Sequence, residues 1–267
     1  MAPGLAAETE PGAAAGRPPA DWRVEHLDRT SSTNDEARER ALAGDPGQLL
    51  IVAAEQRSGR GRRGRQWLSP PGNLYCSALL RPAVAPAQAG LYSFVTAVAL
   101  AAAIGDCAPA ALAGLTCKWP NDLRINGAKV SGILLESGAR PDGGLDHLII
   151  GTGVNVRFAP DGAAENYAVT CLAEYGQDDP ARLAGAYLTR LAEWCERFAV
   201  EGFPPVRKAW LARAEGIGQR VTLRLGRETL SGRFREFDPE GALVLELPDG
   251  RSRAIVSGEI VETRAPA

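Results

Sequence analysis

The chain has 267 residues, 30 basic against 32 acidic side chains, and a formal net charge of −2. That length holds one large domain, or a domain with a small appendage, and 45% hydrophobic with 23% charged residues excludes wholesale disorder, collagen and coiled coil. The near-neutral balance argues against a surface devoted to nucleic acid or anionic membrane, although the basic residues comprise 27 arginines and only Lys118, Lys129 and Lys208.

Fourteen of the first twenty residues are Ala, Pro or Gly, with neither a basic leader nor a continuous apolar run. Residues 1–20 therefore read as a flexible tail rather than a secretory signal. Ser31 to Asn34 then precede the helix-prone Asp35 to Leu42 as a capping stretch. Leu49 to Ala54 is a short apolar run that predicts a strand buried on both faces. An Arg/Gly loop, Arg57 to Arg65, follows, and Leu74 to Leu80 reads as the next strand. Leu91 to Ile104 is Ala-rich and apolar, too short to span a bilayer, and predicts a buried helix.

Leu115 to Trp119 predicts a strand, and Asn126-Gly127 a two-residue type I′ hairpin between Asp122–Ile125 and Ala128–Glu136. That register pairs Ile125 with Ala128, Arg124 with Lys129 and Asp122 with Ser131. Lys129 and Asp122 then share a face as diagonal neighbours about 7–8 Å apart at the backbone. Leu148 to Phe158 predicts a strand interrupted by Gly151 and Gly153. Leu183, Tyr187, Leu191, Trp194, Cys195 and Phe198 recur at helical spacing, so 180–200 forms an amphipathic helix whose aromatic stripe is core. A second helix is expected over 205–214. Past Gly216, short apolar runs separated by Gly, Pro and Asp predict a small β-barrel. The expected division is a tail (1–20), a main domain (21–215) and a C-terminal barrel (216–267).

Five cysteines, none spaced two apart, offer neither a zinc pattern nor a disulfide framework and suit a reducing cytoplasm. With only His26 and His147, a histidine-rich metal site is excluded; both are expected to be ordinary, His147 at a strand edge. Three segments carry chemistry. Gln56 to Trp67 places five arginines in nine positions among glycines, suited to phosphate or carboxylate oxygens. Lacking Gly-Lys-Ser/Thr it is not a P-loop; a solvated loop or an RNA-contacting segment is the alternative. Its place between two core strands and its ending in Trp67, which could stack on a purine, favour a ligand loop. Lys118 to Asp122 leads into the hairpin that carries Lys129, an ammonium on an otherwise apolar strand whose plainer explanation is snorkelling. Asn121 and Asp122 offer oxygens suited to Mg²⁺, against a turn or capping role. Gly151-Thr152-Gly153 is weak as a dinucleotide fingerprint and competes with a structural bulge, while Asn155 could read an adenine edge.

Together, Ser32-Thr33-Asn34, Gln56 with Gly59–Arg65 and Trp67, Lys118–Asp122, Lys129–Ile133 and Gly151–Val156 resemble the biotin protein ligases from about Trp22 onward. The resemblance implies an α/β (α+β) fold, with a mixed-sheet biotin/lipoate ligase-like catalytic domain packed with helices and an SH3-like C-terminal barrel. It implies activation of biotin by ATP with Mg²⁺ as biotinyl-5′-AMP, releasing pyrophosphate, then transfer to one lysine of a biotin carboxyl carrier domain. It assigns Ser32, Thr33, Asn34 and Gln56 to the biotin head. Arg60, Gly61, Arg62 and Lys129 fall to the biotin carboxylate, and Arg62, Arg65, Trp67, Asn121 and Asn155 to ATP. Lys129, Arg62 and Asp122 are the catalytic candidates, Asp122 also a candidate Mg²⁺ contact. Lys118 is left between a catalytic and a structural role. Some family members carry an N-terminal DNA-binding winged helix; about twenty residues before Asp21 cannot build one, so no repressor function and no DNA or membrane partner are expected. A cytoplasmic monomer or weak homodimer is expected. The rivals are a lipoate or octanoate ligase of the same fold and a nucleic-acid-binding protein using the Arg/Gly loop.

Overall fold

In the computed structural model the described residues are 19–160 and 168–264. The expected tail lies outside them except for Pro19 and Ala20. Seven strands form one mixed sheet. In chain order they are β1 (Arg23–Leu27), β2 (Leu49–Ala53), β3 (Leu74–Leu80), β4 (Leu115–Lys118), β5 (Asp122–Ile125), β6 (Ala128–Ala139) and β7 (Leu145–Val154). Their spatial order is β1-β2-β3-β7-β6-β5-β4. Only β1 and β2 run parallel; the other ladders are antiparallel. The long apolar run of β3 is explained by its central place, where every residue is buried. β1 carried no apolar signal because Arg23, Glu25 and His26 interrupt it, and an edge strand can expose such side chains.

Helix α1 (Thr33–Leu42) covers one face of the sheet, where Ala37 and Ala41 pack on Leu49, Ile51, Leu79 and Ile149. Helices α2 (Tyr92–Cys107) and α3 (Pro180–Glu201) cover the other, joined by an edge-to-face contact of Tyr92 and Phe198 at 5.1 Å. A 3-10 turn, Pro86–Leu91, runs directly into α2. The continuous helical segment Pro86–Cys107 thus has 22 residues, more than the apolar run suggested, and by length alone could cross a membrane. It is instead the core helix, with 72% of its apolar window buried. The α3 stripe faces inward as expected, with Leu183, Tyr187, Leu191 and Phe198 buried. Asp179 caps α3, its carboxylate accepting from the amides of Ala181 and Arg182. The last helix, α4 (Phe203–Leu211), begins and ends earlier than its apolar pattern implied.

Strands β8 (Arg220–Leu225), β9 (Glu228–Phe237), β10 (Leu243–Glu246), β11 (Ser252–Ile255) and β12 (Glu259–Arg264) form a separate antiparallel sheet, ordered β11-β10-β9-β8-β12. It is fastened to the helices by aromatic rings. Phe237 meets Phe94 of α2 and Trp210 of α4 edge-on, each at 4.9 Å between centroids. Such pairs add about 0.5–1.5 kcal/mol each beyond their buried area. This packing brings the start of β12 to the mouth of the cleft described next.

Two details at the β5–β6 hairpin matter for that cleft. Asn126 and Gly127 both have positive φ (51° and 80°), as a type I′ turn requires. Ile125 pairs with Ala128 and Arg124 with Lys129 as expected, but a bulge follows. Leu123 then pairs with Ser131, and Asp122 with Gly132 rather than Ser131. A bulge bends and twists the strand locally, and here the two charged ends meet directly across it.

Candidate active site

A cleft open to solvent lies where the Arg/Gly loop, the N-terminus of α1 and the β5–β6 hairpin converge over the sheet. Its floor is shaped by missing side chains. A Cβ on Gly151 would lie 2.3 Å from Asn34 Oδ1, and one on Gly153 would lie 2.5 Å from the Trp67 indole. Both glycines sit in regular ladder positions of β7, neither interrupting the strand nor bulging it. The Gly-x-Gly is thus a flat floor, and β7 spans Leu145–Val154 rather than reaching Phe158.

One end of the cleft is neutral and densely hydrogen-bonded. Ser32 is the N-cap of α1, although its side chain makes no capping bond. Gln56 does that work: its Oε1 accepts from the Thr33 amide (2.9 Å) and from Thr33 Oγ1 (3.1 Å), while its Nε2 donates to Ser69 Oγ (3.0 Å). Ser77 Oγ lies 2.6 Å from Asn34 Oδ1 and 2.7 Å from Thr33 Oγ1. Asn34 Nδ2 is buried and without a hydrogen-bond partner, as is Trp67 Nε1. Buried donors left unmade cost about 1–3 kcal/mol each, and a ligand oxygen at this end would satisfy the Asn34 amide.

The centre holds Lys129. Its Nζ is 2.9 Å from Asp122 Oδ1 and 5.4 Å from the centroid of the Trp67 ring. Its backbone is fixed as well, the amide donating to Ala168 O and the carbonyl accepting from the Thr170 amide. The Lys129 side chain as a whole is only 12% exposed, and its ammonium ends on the Asp122 carboxylate within the cleft.

At the other end the Arg/Gly loop forms a tight turn, Arg62–Gly64, with Arg63 in the left-handed region at φ 58°. Its arginines diverge. Arg60 lines the cleft with its fork paired to Asp35 of α1 by two bonds of 2.7 and 2.8 Å. Arg65 forks onto Glu259 of β12 at 3.0 Å for each bond, and Arg63 joins it at 3.1 Å. Burial favours a neutral Glu259, but the Arg65 hydrogen bonds and the Arg65 and Arg63 charges outweigh it and hold the carboxyl below its usual range. Arg62 has no carboxylate partner among the described residues and only a long 3.4 Å contact to Asn121 Oδ1. Burial, then the Arg63 charge, pull its pKa below the ordinary guanidinium value, and it is the cation best placed to receive an anion.

Asn121 Nδ2 donates to Ile133 O (2.7 Å), so its amide pins the turn to β6 while its oxygen faces Arg62. Asn155 is not among the residues lining the cleft. It is buried, its amide donating to Thr170 O at 3.1 Å. His147, expected at a strand edge, is buried within β7 beside Asp146, and His26 is exposed on β1. Ser77, Asp35 and Glu259 belong to the cleft and its supports without having been marked by any motif. Ser77 left a faint signal, a hydroxyl in the middle of an apolar strand; Glu259 left none. For a divalent cation, the described residues contain no cluster of three ligating side chains. Asp122 alone suits Mg²⁺ that is otherwise held by substrate phosphates.

Residues 26–155 match the biotin/lipoate A/B protein ligase family, and residues 216–261 match the biotin protein ligase C-terminal domain. A biotin–[acetyl-CoA-carboxylase] ligase of Paracoccus denitrificans is 43% identical over 232 residues, covering 84% of this chain and 95% of that protein. The chain belongs to the biotin protein ligase family. A Mycobacterium tuberculosis biotin–[acetyl-CoA-carboxylase] ligase is 30% identical over 91% of this chain and 90% of its own length. In structure, a biotin protein ligase from Aquifex aeolicus in complex with biotin and ATP superposes with a TM-score of 0.76. It is 27% identical, covering 91% of this chain and 99% of that one. The biotin protein ligase fold, mixed sheet with helices and an antiparallel C-terminal unit, is the one observed here.

Proposed function

We propose that the cleft activates biotin with ATP and passes it to a lysine of a biotin carboxyl carrier domain. The observation that carries this reading is Lys129, held between Asp122 and Trp67 at the junction of a neutral hydrogen-bonding end and a cationic end. The ureido head of biotin is uncharged and rich in donors and acceptors, which suits Ser32, Thr33, Asn34 and Gln56. Its carboxylate and the α-phosphate of ATP are both anionic, which suits Lys129 and Arg62. In the first step a carboxylate oxygen bonds to the α-phosphorus while the bond to the bridging oxygen breaks, and pyrophosphate leaves with the electron pair. No proton is exchanged; the difficulty is bringing two anions together, and fixed cations answer it. In the second step a neutral carrier-lysine amine attacks the carbonyl of the mixed anhydride; the C–N bond forms as the acyl C–O bond breaks, AMP leaves with the electron pair, and the amine proton passes to the departing phosphate or to water. Lys129 polarises that carbonyl, and Asp122 orients Lys129 and the incoming amine. Trp67 offers a face for the adenine.

Arg60 contributes through the backbone it positions, with Gly61 beside it, and Asn155 supports the Lys129 segment through Thr170 rather than touching adenine. Mg²⁺ would neutralise phosphate charge, with Asp122 as its protein ligand. Residues 21–215 form the catalytic unit and 216–267 the second. Five free thiols fit a cytoplasmic enzyme. The test is transfer of labelled biotin to a purified carrier domain with Mg-ATP. Activation of octanoate or lipoate in place of biotin would overturn the reading.

A further inference from the structure

Beside the neutral end of the cleft, four charged side chains from three elements close into a ring. Arg60 of the Arg/Gly loop forks onto Asp35 of α1, with Nη1 2.8 Å from Oδ2 and Nη2 2.7 Å from Oδ1. Arg38, one turn further along α1, donates to the same Asp35 Oδ1 at 3.0 Å and to Glu136 Oε2 of β6 at 2.6 Å. Glu136 Oε1 lies 3.7 Å from Arg60 Nη2 and completes the circuit. Cations and carboxylates alternate, so each charge has an opposite charge on both sides. The four side chains are between 24% and 42% exposed, where a single ion pair would count for little. A bidentate fork within a closed network is the arrangement that does count.

Neither α1 nor β6 needs this ring to stay in place. α1 is seated on the sheet by Ala37 and Ala41, and β6 is paired along both edges. The loop has far less to hold it. Its stem makes two backbone hydrogen bonds, Trp67 N to Gly59 O (2.9 Å) and Gly61 N to Arg65 O (2.7 Å), with Arg60 opposite Gln66. A two-stranded hairpin of that kind is marginal on its own in water. Its position nevertheless bears on the ligand end. A Cβ on Gly59 would lie 2.6 Å from Ser69 Oγ and 3.1 Å from Gln56 Nε2, so the loop backbone rests against the side chain that holds Thr33. We propose that Asp35, Arg38 and Glu136 are positioning residues that hold the Arg/Gly loop at Arg60 against the neutral end, so that bound biotin is retained. The inference rests on the ligase reading and adds to it a kinetic role for three side chains that touch no reacting atom.

The experiment loads the full chain with labelled biotin, adds an excess of unlabelled biotin and follows release. Release should be about tenfold faster in Asp35→Asn and about threefold faster in Glu136→Gln and Arg38→Leu. The last two leave every residue lining the cleft in place. In them the kcat of pyrophosphate exchange at saturating biotin should stay within about twofold of wild type while the KM for biotin rises. Asp35→Asn combined with Arg38→Leu should be less than additive, because both open the same circuit. Raising NaCl from about 0.05 M to about 1 M should speed release several-fold from wild type and hardly at all from Asp35→Asn, a response that a purely structural role would not move. Unchanged release in the three variants, or the same salt response in wild type and Asp35→Asn, would overturn the proposal. So would losses of kcat and melting temperature that track the faster release, which would mark the ring as part of the fold. A wild-type protein that holds no labelled biotin would bring down the biotin reading and this proposal with it, whereas slow release from wild type and variants alike brings down this proposal alone.

Discussion

Beneath the N-terminus of α1, Thr33, Asn34 and Ser77 are buried and tied to one another and to Gln56 by neutral hydrogen bonds. At the mouth, Arg63 and Arg65 are exposed side chains tied to a carboxylate of a different sheet. The first arrangement is preorganised: its partners lie on α1, β3 and the strand-following loop, and one donor, Asn34 Nδ2, stays unfilled. The second is provisional, because surface ion pairs are worth only about 0–1 kcal/mol and can be exchanged for phosphate. A neutral ligand head is recognised by geometry that already exists, whereas anions are handled by cations that must be present in surplus.

Removing the group at the junction should have the largest effect. Lys129→Ala is expected to reduce adenylation about 1000-fold while the melting temperature stays near wild type, read by pyrophosphate exchange and thermal denaturation. Near-normal exchange would show that the two ends work without a shared ammonium. Filling the preorganised end comes next. Gly151→Ala puts a methyl against Asn34 and should weaken biotin binding by about 10–100-fold at a stability cost of about 1–3 kcal/mol. Calorimetric titration of biotin would check this, and undiminished affinity would mean that the glycine floor is not part of the ligand site.

At the provisional end the effects should be smaller. Glu259→Gln frees Arg63 and Arg65 from their carboxylate, so the KM for ATP should change by only a few-fold while biotin affinity holds. A large loss of biotin affinity would show the two ends to be coupled. Smallest within the working range is the effect of pH. The Arg60 hydrogen bond lowers the Asp35 carboxyl, and the arginines lower that of Glu259 against its burial. Both contributions are therefore fully present above the ordinary carboxylate values of 3.8 and 4.5, and are lost as the pH falls through the lowered ones. The fluorescence contributed by Trp67, taken as the difference between wild type and Trp67→Phe because the chain has five tryptophans, should be flat from about pH 6 to 8 and change only below about pH 4. A transition near neutrality would point to a different titrating group.

Much of this was legible in the sequence for local reasons. A type I′ turn needs positive φ at two successive residues, so Asn126-Gly127 placed the hairpin and, within it, Lys129 near Asp122. The continuous apolar runs of β2 and β3 and the 3.6-residue stripe of α3 followed from burial. The five-arginine loop announced anion chemistry by composition alone. The bulge after Lys129 did not show, because nothing in Val130-Ser131 marks which residue drops out of the ladder. Nor did the sorting of the arginines, for guanidiniums that look alike in sequence are separated by where carboxylates arrive in space: Asp35 takes Arg60, Glu259 takes Arg63 and Arg65, and Arg62 is left over.

The sequence by itself determined most elements, the hairpin, the family and most of the residue types that line the cleft, because those depend on short-range periodicity and spacing. Tertiary structure decided which of those residues are available. The Asn155 amide is buried and bonded to Thr170 O, the Arg60 fork is paired with Asp35 of α1, and Glu259 meets Arg63 and Arg65 from a second sheet that packs by aromatic rings against α2 and α4. Availability depends on desolvation and on competition for partners, and both are properties of the packed molecule rather than of any segment of its chain.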